Sequence, residues 1–183
     1  MRVIAGEWRG RKLIAPKGDT TRPTADRTRE ALFSMLTSRL GGFEGLAVLD
    51  LFAGSGALGL EALSRGAASC LFVEHDGDAL RALRTNVETL AQRGTAMVEA
   101  KSVMTLGPAR TAYDLILLDP PYGTRAGQVA LDRLLRLGWI AQHTWISLET
   151  DGGELVEVAG LTIAAERKAG KAKLTLLRRA TGE

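Results

Sequence analysis

Short apolar runs alternate with stretches of helical periodicity from residue 47 onward. The run at 47–52 predicts a buried first strand, and apolar residues recur at helical spacing over 57–65, up to Gly66. The same alternation predicts further strands at 70–74, 96–99, 113–118 and 144–149, and further helices at 78–92, which Asp78 could cap, and at 129–137. Strands separated by helices usually pair in parallel, so we expect an α/β sheet built from βαβ units.

The front of the chain follows another pattern. Residues 3–14, interrupted by two glycines, predict two short strands joined by a tight turn. A helix is then predicted to begin at Thr24 or Asp26 and to stop at Gly41. We interpret residues 1–42 as a hairpin and helix extension rather than a separate domain.

The last part of the chain predicts an antiparallel hairpin. Apolar and polar residues alternate over 161–167 and again over 173–178, with a turn near Gly170. A chain of 183 residues that is 45% hydrophobic can bury one sizeable core. We therefore expect a single domain over 1–183, whose core is formed by 43–183.

Composition excludes several classes of protein. The single cysteine, Cys70, rules out a disulfide framework and a Cys-rich metal site, so we expect no metal and a reducing, cytoplasmic environment. The apolar start is too short for a secretory signal, and no uncharged stretch is long enough to span a membrane. Neither His75 nor His143 has a plausible catalytic cluster around it.

Positive charge is concentrated at the front. The net charge is +3, but residues 1–39 hold nine lysines and arginines against four acidic residues, which leaves the remainder slightly negative. A basic segment beside a nearly neutral body is typical of a phosphate-binding extension on an enzyme. On charge alone, a solvated basic tail remains the simpler explanation.

A glycine loop indicates a nucleotide-like ligand. Gly54, Gly56 and Gly59 form a G-x-G-x-x-G pattern between a predicted strand and a helix, where the backbone can approach a ligand closely. Glu74 ends the second strand, where a carboxylate can accept both ribose hydroxyl hydrogens. The pattern predicts an adenosine cofactor but fits a nicotinamide dehydrogenase as well as a methyltransferase.

Three features favour the methyltransferase. Asp50 at the strand end can hold a methionine ammonium group, Phe52 and Ala53 precede the glycines, and an Asp-Pro-Pro-Tyr segment follows the fourth strand. An exocyclic base nitrogen is a poor nucleophile because its lone pair is delocalised into the ring. Acceptors for its two hydrogens favour a pyramidal nitrogen that can attack a methyl sulfonium.

The Asp-Pro-Pro-Tyr segment supplies such acceptors. Asp119 offers a carboxylate, and the carbonyl of Pro120 is held outward by two consecutive prolines, Pro120 and Pro121. Tyr122 can stack on the base. A proline-rich turn without function is the alternative, which the neighbouring glycine loop disfavours.

On residues 4–13, 22–33, 50–65 and 119–122, the sequence resembles the bacterial small-subunit (16S) rRNA guanine-N2 methyltransferases. The resemblance implies a seven-stranded, Rossmann-like class I sheet, S-adenosylmethionine as cofactor, and catalysis by Asp119, Pro120, Pro121 and Tyr122. The expected cofactor contacts are Asp50, Phe52, Ala53, Gly54, Gly56 and Glu74, together with Ser102 and Val103, which stand where the family has an acidic or amide residue near the adenine.

The basic residues at the front are candidate RNA contacts. We expect phosphate contacts from Arg9, Arg11, Lys12, Arg22, Arg27 and Arg29. Arg27 or Arg29 could instead pair with Asp26 or Glu30, and Arg27 could face the cofactor rather than RNA. The lysines of the C-terminal hairpin are interpreted as a solvated edge.

The combined hypothesis is methyl transfer from S-adenosylmethionine to N2 of a guanine in 16S rRNA. The expected partner is the rRNA or an assembling small subunit, and the enzyme is expected to be a cytoplasmic monomer. A DNA adenine-N6 methyltransferase is the alternative enzyme. A nicotinamide dehydrogenase and a non-catalytic RNA-binding protein are more distant ones.

Overall fold

The computed structural model describes residues 1–18 and 23–182, and all their side chains except those of Pro23 and Thr24. Four helices lie within this part of the chain: α1 Pro23–Leu40, α2 Ala57–Ser64, α3 Gly77–Leu90 and α4 Ala126–Arg136. The strands of the same part are β1 Ala47–Leu51, β2 Ser69–Glu74, β3 Ala96–Ala100, β4 Leu115–Leu118, β5 Trp145–Asp151, β6 Leu161–Ala169 and β7 Ala172–Arg179.

The strands form one mixed sheet. Their order is β3-β2-β1-β4-β5-β7-β6, with β1 to β5 parallel and β7 antiparallel to both β5 and β6. This confirms the predicted βαβ sheet and the C-terminal hairpin. The chain reverses its direction of winding between the adjacent strands β1 and β4, where α/β sheets form a ligand crevice at their carboxyl ends.

Both faces of the sheet are covered. Side chains of α1, α2 and α3 pack on one face, and those of α4 and the segment after β5 pack on the other. All four residues of β4 are buried, as expected for a strand covered on both faces. Apolar residues of α1 and of the first eighteen residues, such as Phe33 and Val3, belong to the same cluster as those of β1 and β2.

The front segment forms a shorter hairpin than predicted. One antiparallel bridge joins Arg2 and Lys12, and it is flanked by backbone hydrogen bonds from Val3 N to Arg11 O at 3.0 Å and from Leu13 N to Met1 O at 3.1 Å. Beyond these pairs the backbone binds a side chain of a helix: Glu61 of α2 accepts from Ile4 N and Ala5 N at 2.8 and 3.0 Å. Glu61 therefore satisfies two backbone donors that the short hairpin leaves unpaired.

Two further side chains hold the front segment. Ser64 accepts from Trp8 N at 2.9 Å, and Asn86 of α3 accepts from Ile14 N at 2.8 Å. Gly6 lies so close to α2 that a Cβ atom there would stand 1.8 Å from the backbone oxygen of Ser64. Only glycine fits this contact, and its φ of 84° also favours glycine.

The capping of α3 differs from the prediction. The helix begins at Gly77, and the side chain of Asp76, not Asp78, accepts from Ala79 N at 2.9 Å. Asp76 lies one residue before the first helical turn, where a carboxylate can satisfy an exposed N–H group. Asp78 pairs with Arg81 within the helix.

The β6–β7 hairpin reaches the carboxyl edge of the sheet. Because β7 is antiparallel to β5, Ala172 pairs with Asp151 and the hairpin turn lies beside the end of β5. The turn therefore approaches the crevice between β1 and β4. No helix in the described ranges 1–18 and 23–182 has the length and apolar character needed to cross a membrane.

Candidate active site

The loop between β1 and α2 is shaped by residues with positive φ. Phe52, Gly54 and Gly56 have φ values of 56°, 57° and 84°. A left-handed conformation at a non-glycine residue such as Phe52 is uncommon and is often found at ligand sites. Gly59 has a packing role, because a Cβ atom there would lie 2.4 Å from the Phe72 ring of β2.

Glu74 is tied to this loop. One carboxylate oxygen accepts from Gly54 N at 2.8 Å, and the other accepts from His75 N and Asp76 N at 2.7 and 2.8 Å. The side chain thus fixes the glycine loop and the start of α3 to the end of β2. It is not among the residues that line the cavity described next.

A cavity of about 780 Å³ opens at the carboxyl edge of the sheet. This is within the range of ligand sites and leaves room for more than one small ligand group. Six of the predicted catalytic and cofactor residues line it, Asp50, Phe52, Ala53, Gly54, Asp119 and Tyr122, and so does one predicted RNA contact, Arg29. Gly56, Glu74, Ser102, Val103, Pro120 and Pro121 are not part of its lining.

Asp50 is buried at the floor of the cavity. It is 1% exposed, and its Oδ2 accepts from Gly59 N at 2.8 Å. Burial raises its pKa well above the usual value, the Gly59 hydrogen bond opposes that shift, and the charges of Asp119 and Glu74 add to it. A cationic group bound beside Asp50 would favour its ionised form.

Ser102 and Val103 have local structural roles. The Ser102 hydroxyl accepts from Met104 N at 3.2 Å and caps a short 3-10 turn. Val103 is 3% exposed and packs in the core beneath the sheet. The Val103 side chain is therefore unavailable to a ligand in the cavity, and the adenine contacts expected at these two positions stay a prediction.

The Asp-Pro-Pro-Tyr segment begins directly after β4. Asp119 is exposed on the cavity wall, and Pro120 is buried against the start of α4, where a Cβ atom on Gly127 would lie 3.0 Å from its ring. The Tyr122 hydroxyl donates to Oε1 of Glu149. Burial raises the pKa of Tyr122, and Glu149 raises it further, so the hydroxyl stays a donor.

Sequence reasoning missed part of the cavity wall. Glu149 lies on β5, and Thr28 lies on α1; the turn of the C-terminal hairpin contributes Lys171. Glu149 could have been found as a carboxylate at the carboxyl end of a predicted parallel strand. The position of Lys171 depends on the pairing of β7 with β5, which the sequence does not reveal.

The predicted RNA-contact residues fall into three groups. Arg9, Arg11, Lys12 and Arg27 are exposed. Arg29 is 5% exposed, lines the cavity, and donates to Asp26 at 3.0 Å and to the Arg2 carbonyl; this is the pairing with Asp26 left open by the sequence, and an RNA contact of Arg29 stays a prediction. Arg22 lies outside the described residues.

Comparison with known proteins agrees with this geometry. The family model described as Conserved hypothetical protein 95 matches residues 1–178. Ribosomal RNA small subunit methyltransferase D of Escherichia coli (strain K12) is 35% identical over 186 residues, which cover 100% of this chain and 92% of that protein. The Haemophilus influenzae protein of the same name is 34% identical over 175 residues, which cover 93% of this chain and 89% of that protein.

A solved structure extends the similarity to three dimensions. The Escherichia coli protein YhhF superposes with a TM-score of 0.84 at 37% identity, covering 98% of this chain and 97% of that one. The predicted seven-stranded Rossmann-like sheet of class I methyltransferases is thereby confirmed. The chain belongs to the family described as Conserved hypothetical protein 95, which includes ribosomal RNA small subunit methyltransferase D.

Proposed function

We propose that this protein transfers a methyl group from S-adenosylmethionine to N2 of a guanine in the rRNA of the small ribosomal subunit. The observation that carries the proposal is one cavity that joins the glycine loop, Asp50 and Asp119. The names of the curated relatives support rRNA as the substrate class. We further propose that the enzyme acts in the cytoplasm as a monomer.

The residues present fit this cofactor. A methionine ammonium group requires a carboxylate, and Asp50 faces the cavity beside the loop backbone. The glycine loop leaves room for close backbone contact, since a Cβ atom on Gly54 would meet nothing within 4 Å. S-adenosylmethionine supplies an electrophilic methyl group bound to a positively charged sulfur. When the methyl group is transferred, the leaving group is a neutral thioether, S-adenosylhomocysteine.

Asp119 and the Pro120 carbonyl orient the guanine amino group. If each accepts one N2 hydrogen, the nitrogen lone pair points at the methyl carbon, and Tyr122 lies against the base. As the N–C bond forms, N2 becomes positively charged, and Asp119 stabilises that charge. One N2 proton then passes to Asp119 or to water, and the secondary amine remains neutral.

Methyl transfer onto purified small subunits, their rRNA and DNA tests the proposal. We expect incorporation into small subunits, or their rRNA, from cells that lack this gene, and none into DNA. Mapping the modified nucleotide by mass spectrometry should give an N2-methylguanine. Methylation of adenine N6 in DNA would instead establish the alternative enzyme.

The cofactor itself can be tested by calorimetry. We expect binding of S-adenosylmethionine and of S-adenosylhomocysteine, but not of NAD. Glu74→Ala should weaken that binding about ten- to a hundredfold, because it releases the glycine loop at Gly54 and removes the carboxylate predicted to bind the ribose. Tight NAD binding without an S-adenosyl signal would contradict the methyltransferase assignment.

The exposed arginines at the front can be tested through salt dependence. Replacing both Arg9 and Arg11 by Ser should weaken RNA binding and reduce the slope of log affinity against log salt by about 1.4 to 1.8. Cofactor affinity should not change. The matched control replaces Arg110 and Arg136 by Ser. Both arginines are exposed; Arg136 is the last residue of α4, at the other face of the sheet, and Arg110 lies beside that helix. Equal salt slopes in the two double variants would place the RNA surface elsewhere.

A further inference from the structure

Two carboxylates follow neighbouring strands at the carboxyl edge of the sheet. Leu118 of β4 pairs with Leu148 of β5, and the next residue on each chain segment is acidic: Asp119 and Glu149. Both line the same cavity. The methyl-transfer chemistry proposed above uses Asp119 and assigns no task to Glu149.

Glu149 is held in a defined position. Tyr122 donates to its Oε1, and no hydrogen bond to its Oε2 is found within residues 1–18 and 23–182. Burial raises the pKa of Glu149, whereas the hydrogen bond from Tyr122 favours the carboxylate. Glu149 therefore has a carboxylate oxygen available to accept a hydrogen bond from a group in the cavity.

The Watson–Crick edges of purines differ next to the reactive amino group. In guanine, N2 is flanked by N1, which carries a hydrogen and is a donor. In adenine, N6 is flanked by an N1 that has a lone pair and is an acceptor. A second carboxylate beside the one that binds the amino group therefore attracts guanine and repels adenine.

We propose that Glu149 determines the specificity of this enzyme for guanine by accepting the N1–H hydrogen of the target base. The inference rests on the proposed function, because it takes the guanine amino group as the methyl acceptor. Asp119 and the Pro120 carbonyl accept the two amino hydrogens, and Glu149 accepts the hydrogen of the adjacent ring nitrogen, N1. Tyr122 then has two roles, since it contacts the base and fixes the orientation of the Glu149 carboxylate.

A base analogue tests this contact. 2-Aminopurine retains the 2-amino group, but its N1 is unprotonated and it lacks the 6-oxo group, so the effect of replacing Glu149 on the preference for guanine, rather than the preference itself, reports the N1 contact. Once the modified nucleotide is mapped, rRNA assembled by ligation can carry either guanine or 2-aminopurine at that position. The measured quantity is the ratio of kcat/KM for guanine to that for 2-aminopurine.

We expect the unmodified enzyme to prefer guanine by about a hundredfold or more, because a site that binds a hydrogen donor rejects an analogue that lacks it. In Glu149→Gln the ratio should fall at least about tenfold, since the amide can donate to the analogue's N1. Asp151→Asn is the matched control: it removes the same charge two residues further along β5, outside the cavity lining, and should keep the ratio.

Both rate constants in a ratio are measured with the same variant. A lower fraction of folded Glu149→Gln therefore reduces both equally and leaves the ratio unchanged. For a variant that turns over too slowly, dissociation constants of the two RNAs in the presence of S-adenosylhomocysteine give the corresponding ratio. An unchanged ratio in Glu149→Gln would overturn the inference while N2-methylguanine formation stands. Absence of N2-methylguanine with the unmodified enzyme would overturn the proposed function instead.

Discussion

Asp119→Ala should reduce single-turnover methylation of small subunits by about a hundred- to ten-thousandfold, with S-adenosylmethionine still bound. The reason is that Ala removes both the acceptor that orients N2 and the negative charge that stabilises it as the methyl group arrives. Asp119→Asn keeps a carbonyl oxygen in nearly the same place and should remain within about ten- to a hundredfold of the original rate.

The order of the two variants distinguishes orientation from proton removal. A base amino group is hardly acidic before attack, so an acceptor is sufficient at that stage. Asp151→Asn, which changes a carboxylate outside the cavity lining, provides the baseline. If Asn is as inactive as Ala while cofactor and RNA bind, then proton removal by Asp119 becomes the leading mechanism; full activity of both would show that the catalytic segment is misassigned.

Glu61→Ala should lower the free energy of unfolding by about 3–5 kcal/mol. The carboxylate is fully buried, accepts from two backbone N–H groups of the front segment, and lies 2.9 Å from Nε of Arg65 and 3.9 Å from Nε of Arg29. Burial lowers the pKa of Arg29, and Glu61 is one of the charges that oppose this shift. Alanine would leave buried donors and positive charge without their acceptor.

Denaturant unfolding measures this loss, and amide hydrogen exchange at Ile4 and Ala5 localises it. Glu88→Ala on α3 is the control, because its side chain is exposed and should change stability by no more than about 0.5 kcal/mol. A Glu61 variant with the stability of the control would show that the front segment is held by its apolar contacts alone.

The order of the elements could be predicted from the sequence because it depends on local pattern. The apolar run of β4 and the helical spacing of α3 each contain enough periodicity to identify the element, and the glycine loop identifies the crevice. The short hairpin at the front follows the same kind of local pattern, but its attachment to α2 and α3 could not be predicted in this way. Four of its backbone donors bind Glu61, Ser64 and Asn86, which lie 56 to 72 residues further along the chain.

The cavity shows the same division. Asp50, Gly54 and Asp119 are recognisable from the sequence, because each lies in or beside the strand or motif that places it at the carboxyl edge of the sheet. The pairing of Tyr122 with Glu149 and the approach of Lys171 depend on contacts across 27 residues and across the antiparallel β5–β7 pair. Local patterns therefore specify which chemical groups the protein carries and in which element each group lies. Burial and strand pairing specify which of these groups face the same ligand. Burial and pairing depend on contacts between distant parts of the chain, which no short stretch of sequence encodes.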